Sequence, residues 1–136
     1  MTVKVLVITS ETISAQQLRD ALGADGDPSA LEVLVVAPAL ADSAFKFWMS
    51  DADEAIARAE QVREASVERL GEEGVSATGD TGEADPYTAI EDALKTFDAD
   101  RIVLFTHGGE AQRYREDLDE REIAERFGRP VDHAVL

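Results

Sequence analysis

Apolar positions recur along this chain with two alternating periods. Val3 to Ile8 (VKVLVI) is almost continuously apolar and rich in valine, the pattern of a strand covered on both faces. Thr9 to Thr12 is polar and reads as a turn. Ser14 followed by Gln17 forms a capping box, in which the two residues satisfy each other's free helix-end amides. It predicts a helix through about Leu22. Gly23 to Ser29 carries Gly, Asp and Pro and reads as a loop. Leu31 to Val36 (LEVLVV) repeats the buried-strand pattern.

A long connection follows, from Pro38 to Ser50 (PALADSAFKFWMS), and Ser50 with Asp53 marks a second helix start. From Asp51 to about Glu73, Ile56, Ala59, Val62 and Leu70 fall on one stripe, and the opposite face is charged. Gly74 ends this helix, and Val75 to Gly79 predicts a short third strand. Asp85 and Pro86 open the next helix: aspartate caps free amides, and proline suits the first helical position because its missing N–H has no partner there. Ala89, Ile90, Ala93, Leu94 and Phe97 make its buried stripe. Arg101 to Phe105 (RIVLF) is a fourth strand, followed by a loop from Thr106 to about Arg115. A last helix turns Ile123, Ala124 and Phe127 inward, Gly128 closes it, and Val131 to Leu136 is a fifth strand.

Strands alternating with helices, joined by right-handed crossovers, predict an α/β fold: a doubly wound, five-stranded parallel sheet of Rossmann-like type. Residues 1–136 read as one domain with no internal repeat. In such sheets ligands bind beyond the carboxyl ends of the strands, where the strand order reverses. The candidate loops are therefore Thr9 to Thr12, Val36 to Pro38, Asp80 to Pro86, and Thr106 to Gly109.

Composition narrows the chemistry. There is no cysteine, which excludes disulfides, thiolate metal sites and thiol catalysis. Two separated histidines give no metal-ligand pattern. The net charge is −16, from 29 acidic and 13 basic residues. Such a surface repels nucleic-acid phosphates and anionic membranes, so neither is an expected partner. Its simplest role is solubility, in preference to a dedicated basic partner. The start, MTVKVLVITSET, lacks the pattern of a signal peptide. No apolar run approaches the roughly 20 residues of a membrane helix. A soluble, cytoplasmic protein is the expectation.

From Gly79 onward the chain resembles the universal stress proteins. Members of that family carry a glycine-x-aspartate-proline step before the third helix and Gly-Thr-x-Gly after the fourth strand. They close with Val-Ala-Glu-Arg on a helix and a strand after Cys-Pro-Val. This chain shows Gly82, Asp85 and Pro86, then Thr106, His107 and Gly108. It ends with Ile123-Ala124-Glu125-Arg126 and Pro130-Val131. The resemblance covers nearly the whole chain in layout and is specific from Gly82 onward. The long segment containing FKFW lies outside the usual pattern. The resemblance implies strand order 3-2-1-4-5, an adenine nucleotide alpha hydrolase-like fold, and a homodimer formed through the C-terminal strand. It also implies a nucleotide, ATP or AMP, bound near Thr9, Ser10, Val36, Thr106, His107, Gly108 and Gly109.

The phosphate-binding part of the family motif is altered. ATP-binding members have Gly-x-x-Gly and, roughly nine residues later, Gly-Ser or Gly-Thr. Such glycines let backbone amides approach phosphate oxygens, and the hydroxyl adds a donor at a helix start. Gly108 matches the first glycine, but the second falls on Ala111 and the Gly-Ser pair on Arg121 and Glu122. The family's first-strand aspartate falls near Ser10. These departures predict weak or absent ATP binding in the family's mode.

The remaining candidates each carry two readings. His107 is either an acid–base or phosphate-donating group or a loop histidine bonded to backbone. Thr106 with Gly108 and Gly109 forms either an anion nest or a simple strand end. His133 reads as structural or interfacial. Arg113, Tyr114 and Arg115 either clamp a phosphate or base, or balance the acidic surface. Phe45, Phe47 and Trp48 either cover the cleft, form an interface, or anchor a long loop. The acidic run Glu116 to Glu122 reads as a solvated helix face.

Two function classes follow. One is a non-enzymatic, dimeric regulatory or stress-response module with a degenerate or altered nucleotide or small-ligand pocket. The alternative is a nucleotide-dependent enzyme of the wider adenine-nucleotide-binding superfamily. The loop Thr9-Ser10-Glu11-Thr12 lacks the glycines that such enzymes place there.

Overall fold

The structure is a computed structural model, and it describes residues 3–9, 11–22, 31–38, 52–82, 86–106 and 120–135. Strands β1 (Val3–Thr9), β2 (Leu31–Pro38), β3 (Ser76–Gly82), β4 (Arg101–Thr106) and β5 (Val131–Val135) form one sheet. Its order is β3-β2-β1-β4-β5, and every pairing is parallel. The helices are α1 (Ala15–Leu22), α2 (Ala52–Glu72), α3 (Pro86–Thr96) and α4 (Glu120–Phe127). The predicted α/β fold and strand order are those observed.

Side chains alternate across β1 and sort the core into two layers. Val5 and Val7 pack with Val33, Val35, Val103 and Phe105 under Leu18 of α1 and Leu70 of α2. Leu6 and Ile8 pack on the other face with Val36, Ile102 and Leu104, under Ile90 of α3 and Ile123 of α4. Val5, Leu6, Val7 and Ile8 are all buried, and each such side chain contributes roughly 1.5–3 kcal/mol relative to exposure. This two-sided burial is why the strand reads as a continuous apolar run.

Polar bonds fix the ends of the elements. The predicted capping box forms: the Ser14 amide donates to Gln17 Oε1 at 2.9 Å, and the Gln17 amide donates to Ser14 Oγ at 3.2 Å. At the amino end of the sheet the Lys4 amide donates to Asp100 Oδ2 at 2.9 Å, and the Asp100 amide donates to the Lys4 carbonyl at 2.7 Å. Arg129 clamps the turn before β5. Its Nε donates to the Ala99 carbonyl at 2.7 Å, Nη1 to the Phe127 carbonyl at 2.7 Å, and Nη2 to Asp98 Oδ1 at 2.9 Å. Gly74 and Gly128 end α2 and α4 with φ of 90° and 67°, the left-handed conformation that glycine adopts without a Cβ clash.

Two strand ends and one burial differ from the sequence expectation. β2 continues to Pro38 and β3 to Gly82, through registers Val36↔Asp80, Ala37↔Thr81 and Pro38↔Gly82. The ladder satisfies the backbone of the polar stretch, so pairing overrides its turn-like composition. Val36–Pro38 is thus strand, not loop, and so is Asp80–Gly82. Ile56, expected on the buried stripe of α2, is 44% exposed. With 21 residues α2 is about 31 Å long, against about 23 Å for the 7 residues of β3. Among the α2 side chains described, the first buried ones are Ala59 and Val62, which pack with Ala37. The Phe45, Phe47 and Trp48 expectations lie outside the described residues.

Two glycine-to-alanine substitutions have opposite expected signs. Gly128→Ala places a Cβ at positive φ and lowers unfolding stability by about 1 kcal/mol. Gly71→Ala sits inside α2 with nothing within 4 Å of its new Cβ. It raises stability by about 0.5–1 kcal/mol. Urea denaturation midpoints of the two variants check the pair.

Candidate functional site

The crossovers place α1 and α2 over one face of the sheet and α3 and α4 over the other. From β1 the chain builds outward through β2 to β3, then returns to lay β4 and β5 on the opposite side. The reversal therefore falls between β1 and β4. At their carboxyl ends the crossovers diverge and leave a crevice. Thr9 ends β1 and Thr106 ends β4, with Thr9 in register with Phe105.

Thr9 is fully buried. Its hydroxyl donates to the Glu11 carbonyl at 2.7 Å and accepts from the Glu11 amide at 3.2 Å. Thus the Thr9 hydroxyl bonds to the backbone of Glu11 just beyond β1, with its proton and one of its two lone pairs. The following residues are held as well. The Ile13 amide donates to the buried Ser66 Oγ of α2 at 3.3 Å, and Ser14 enters the capping box.

Thr106 is 5% exposed. Its Oγ1 lies 2.6 Å from His133 Nε2 on β5. Leu104, on the Thr106 face, is in register with His133, so both side chains lie on the α3–α4 side. A hydroxyl beside an imidazole is half of a nucleophilic pair. Among the described residues no group bonds the other ring nitrogen, so the orienting third member is not part of this arrangement. Sequence reading treated His133 as structural or interfacial. Its link to Thr106 depends on the β4–β5 register, which no local pattern announces.

Val36 is buried in the cluster with Ile8 and Ile90 and forms the floor of this end of the sheet. Ser10, His107, Gly108 and Gly109 lie outside the described residues, as do Ala111, Arg113, Tyr114 and Arg115. Arg121 and Glu122 sit with Glu120 in the first turn of α4, whose N-terminus faces the carboxyl end because the helix returns antiparallel to the strands. A shallow depression of about 390 Å³, lined by Glu120, Arg121, Ala124 and Val131, lies between this turn and β5. Charged residues at the described strand ends and in the first turn of α4 include Glu11, Asp80, Glu120, Arg121 and Glu122. Two of the carboxylates occupy a helix N-terminus, where their charge complements the backbone dipole. No group of metal-binding side chains occurs among the described residues. No described helix is long and apolar enough to cross a membrane.

Comparison with solved structures decides the architecture. A universal stress protein family protein from Arabidopsis thaliana, solved with AMP bound, superposes with a TM-score of 0.64 at 16% identity, over 98% of this chain and 91% of that one. The chain has the universal stress protein fold. The hypothetical protein MJ0577, whose structure was used to assign its biochemical function, superposes with a TM-score of 0.62 at 16% identity, over 100% of this chain and 97% of that one. No protein-family model matches the chain, and no curated protein is similar to it in sequence. Identity this low, on an architecture this complete, fits a sequence whose constraints lie in burial pattern and strand order. On the universal stress protein fold, this chain builds its carboxyl end from the Thr9–Glu11 turn, Thr106 and an acidic first turn of α4.

The Thr9 hydroxyl makes a separable contribution. Thr9→Val keeps the shape but leaves the Glu11 amide and carbonyl without their partner, and is expected to cost about 1–2 kcal/mol. Thr9→Ser keeps both bonds and loses only a methyl. A thermal denaturation series on the three proteins checks this, and equal losses for Val and Ser would assign the effect to packing.

Proposed function

We propose that the chain is a divergent universal stress protein, a non-enzymatic regulatory module of the cytoplasmic stress response that binds a small ligand of low negative charge at the carboxyl ends of β1 and β4. The observation that carries this reading is the fixed crevice wall: Thr9, Glu11, Ile13 and Ser14 are each held by a hydrogen bond. Such preorganisation lowers the ordering cost of binding. The likeness to an AMP-bound protein supports a nucleotide as the ligand class.

The acidic surroundings select against a triphosphate. Like charges about 4 Å apart repel by ~1 kcal/mol even in bulk water, and by more near a protein surface. Glu120 and Glu122 occupy the helix terminus that a phosphate group would use. AMP, or another ligand with at most a monophosphate, meets less repulsion than ATP. Isothermal calorimetry with magnesium and ATP is expected to show weak or undetectable binding. A low-micromolar dissociation constant for ATP would contradict the reading.

The alternative, a nucleotide-dependent enzyme of the wider superfamily, draws support from the Thr106–His133 pair. Turnover of ATP to AMP and pyrophosphate would establish it, whereas binding without turnover supports the regulatory module.

The proposed partner is a second copy of this chain, paired along β5. Among the described strands β5 is at the sheet edge and pairs with β4 alone, and Val135 is 69% exposed. A free strand edge with an apolar side chain invites pairing. Sedimentation equilibrium is expected to give a dimer for the intact protein and a monomer for Val135→Lys. A dimer unaffected by the lysine would move the interface elsewhere.

A further inference from the structure

The outermost strand meets the end of β4 through one side chain. We propose that His133 is a positioning residue for the ligand site: its Nε2, 2.6 Å from the Thr106 hydroxyl, fixes which way that hydroxyl turns its proton. It therefore decides whether the end of β4 offers a ligand a donor or an acceptor. The inference deepens the proposed ligand site and rests on that reading for its consequence, though not for the pairing itself.

The chemistry follows from what each group can do. A threonine hydroxyl has one proton and two lone pairs. If Nε2 carries no proton, the hydroxyl must donate to it, and only lone pairs remain for a ligand. Those lone pairs repel a phosphate oxygen. If Nε2 carries a proton, the ring donates, the hydroxyl accepts, and its own proton is released toward the crevice. The strand end then becomes a donor suited to an anion. Thr106 is almost fully buried, so bulk water does not compete freely for that proton. With the neutral ring in its Nδ1–H form, adding a proton at Nε2 inverts the polarity of the neighbouring hydroxyl; in the Nε2–H form the hydroxyl already turns its proton outward.

The surroundings of the ring bear on this. From α4, Glu120 and Arg121 line the depression with Val131, on the face that carries His133, and Glu122 lies in the same helical turn. From β4, Arg101 pairs with Asp132 of β5, and alternation along β5 turns that pair to the opposite face. Arg19 belongs to α1, which packs on that opposite face too. The exposed ring remains in exchange with solvent while its Nε2 is engaged.

Two measurements test the proposal. In the ligand-free protein, nitrogen NMR of the imidazole reads Nε2 directly, with His133→Asn identifying its signals. Thr106→Val is expected to move the Nε2 resonance by several ppm, and Thr106→Ser to restore it. An Nε2 resonance unmoved in Thr106→Val overturns the proposal. Should the valine variant unfold, a wild-type Nε2 shift equal to that of a free imidazole overturns it equally.

The second measurement uses cyclic AMP, a phosphodiester whose charge stays constant across the pH range. Wild type is expected to bind it about five-fold more tightly at about pH 5.5 than at about pH 8, the scale of one hydrogen bond. His133→Asn is expected to show no such change. The same pH dependence in both proteins, or none in wild type, overturns the link to ligand binding. Absence of cyclic AMP binding at either pH overturns the ligand consequence and counts against the site reading, while the His133–Thr106 pairing is decided by the imidazole shifts alone.

Discussion

Everything in this molecule depends on β1 being buried on both faces. Val5 and Val7 point into one layer and Leu6 and Ile8 into the other, and neither layer can be left open to water. Helices must therefore cover both sides. With right-handed crossovers, the chain can do this only by building outward from β1 in one direction and then in the other. Placing β4 beside β1 is the consequence, and the crevice at their carboxyl ends comes with it. The site is a product of how the core is satisfied.

The crevice inherits rigidity on one side and a polar variable on the other. On the β1 side, Thr9, Ser66 and Gln17 hold the backbone amides of Glu11, Ile13 and Ser14. On the β4 side, Thr106 is bonded to a side chain of the edge strand. The electrostatic character comes from a third source, the acidic first turn of α4. The same carboxylates stabilise the helix and discourage a phosphate from using its terminus. On the proposed reading, Glu120 and Glu122 would thus link the stability of α4 to the selectivity of the site.

The fold was largely legible in the sequence because its signals are local or periodic. The runs at Val3–Ile8, Leu31–Val36 and Arg101–Phe105 announced buried strands, and the Ser14–Gln17 box and Gly128 announced helix ends, all as observed. Ile56 misled because helical periodicity puts a side chain on a stripe without saying what covers it, and it is exposed. Asp80 to Gly82 misled because a composition suited to turns is overruled by pairing with β2. The site was less legible. Thr9 and Thr106 were placed at the strand ends by topology, but the use of the Thr9 hydroxyl within its own turn depends on atomic geometry. His133 reaches Thr106 across 27 residues of sequence, through a register that hydrophobic patterning does not encode at single-residue precision.

The central claim is that a ligand enters between the carboxyl ends of β1 and β4 and meets the pinned Thr9–Ser14 turn. Amide chemical-shift mapping during a titration with AMP, carried to millimolar concentration, tests this most directly. The account predicts that the largest shifts cluster at Thr9, Glu11, Thr12 and Thr106, with the amino-end residues Lys4, Ala99 and Arg129 unchanged. Shifts concentrated at the amino end or along the exposed face of α2, or no shifts at all, would contradict it.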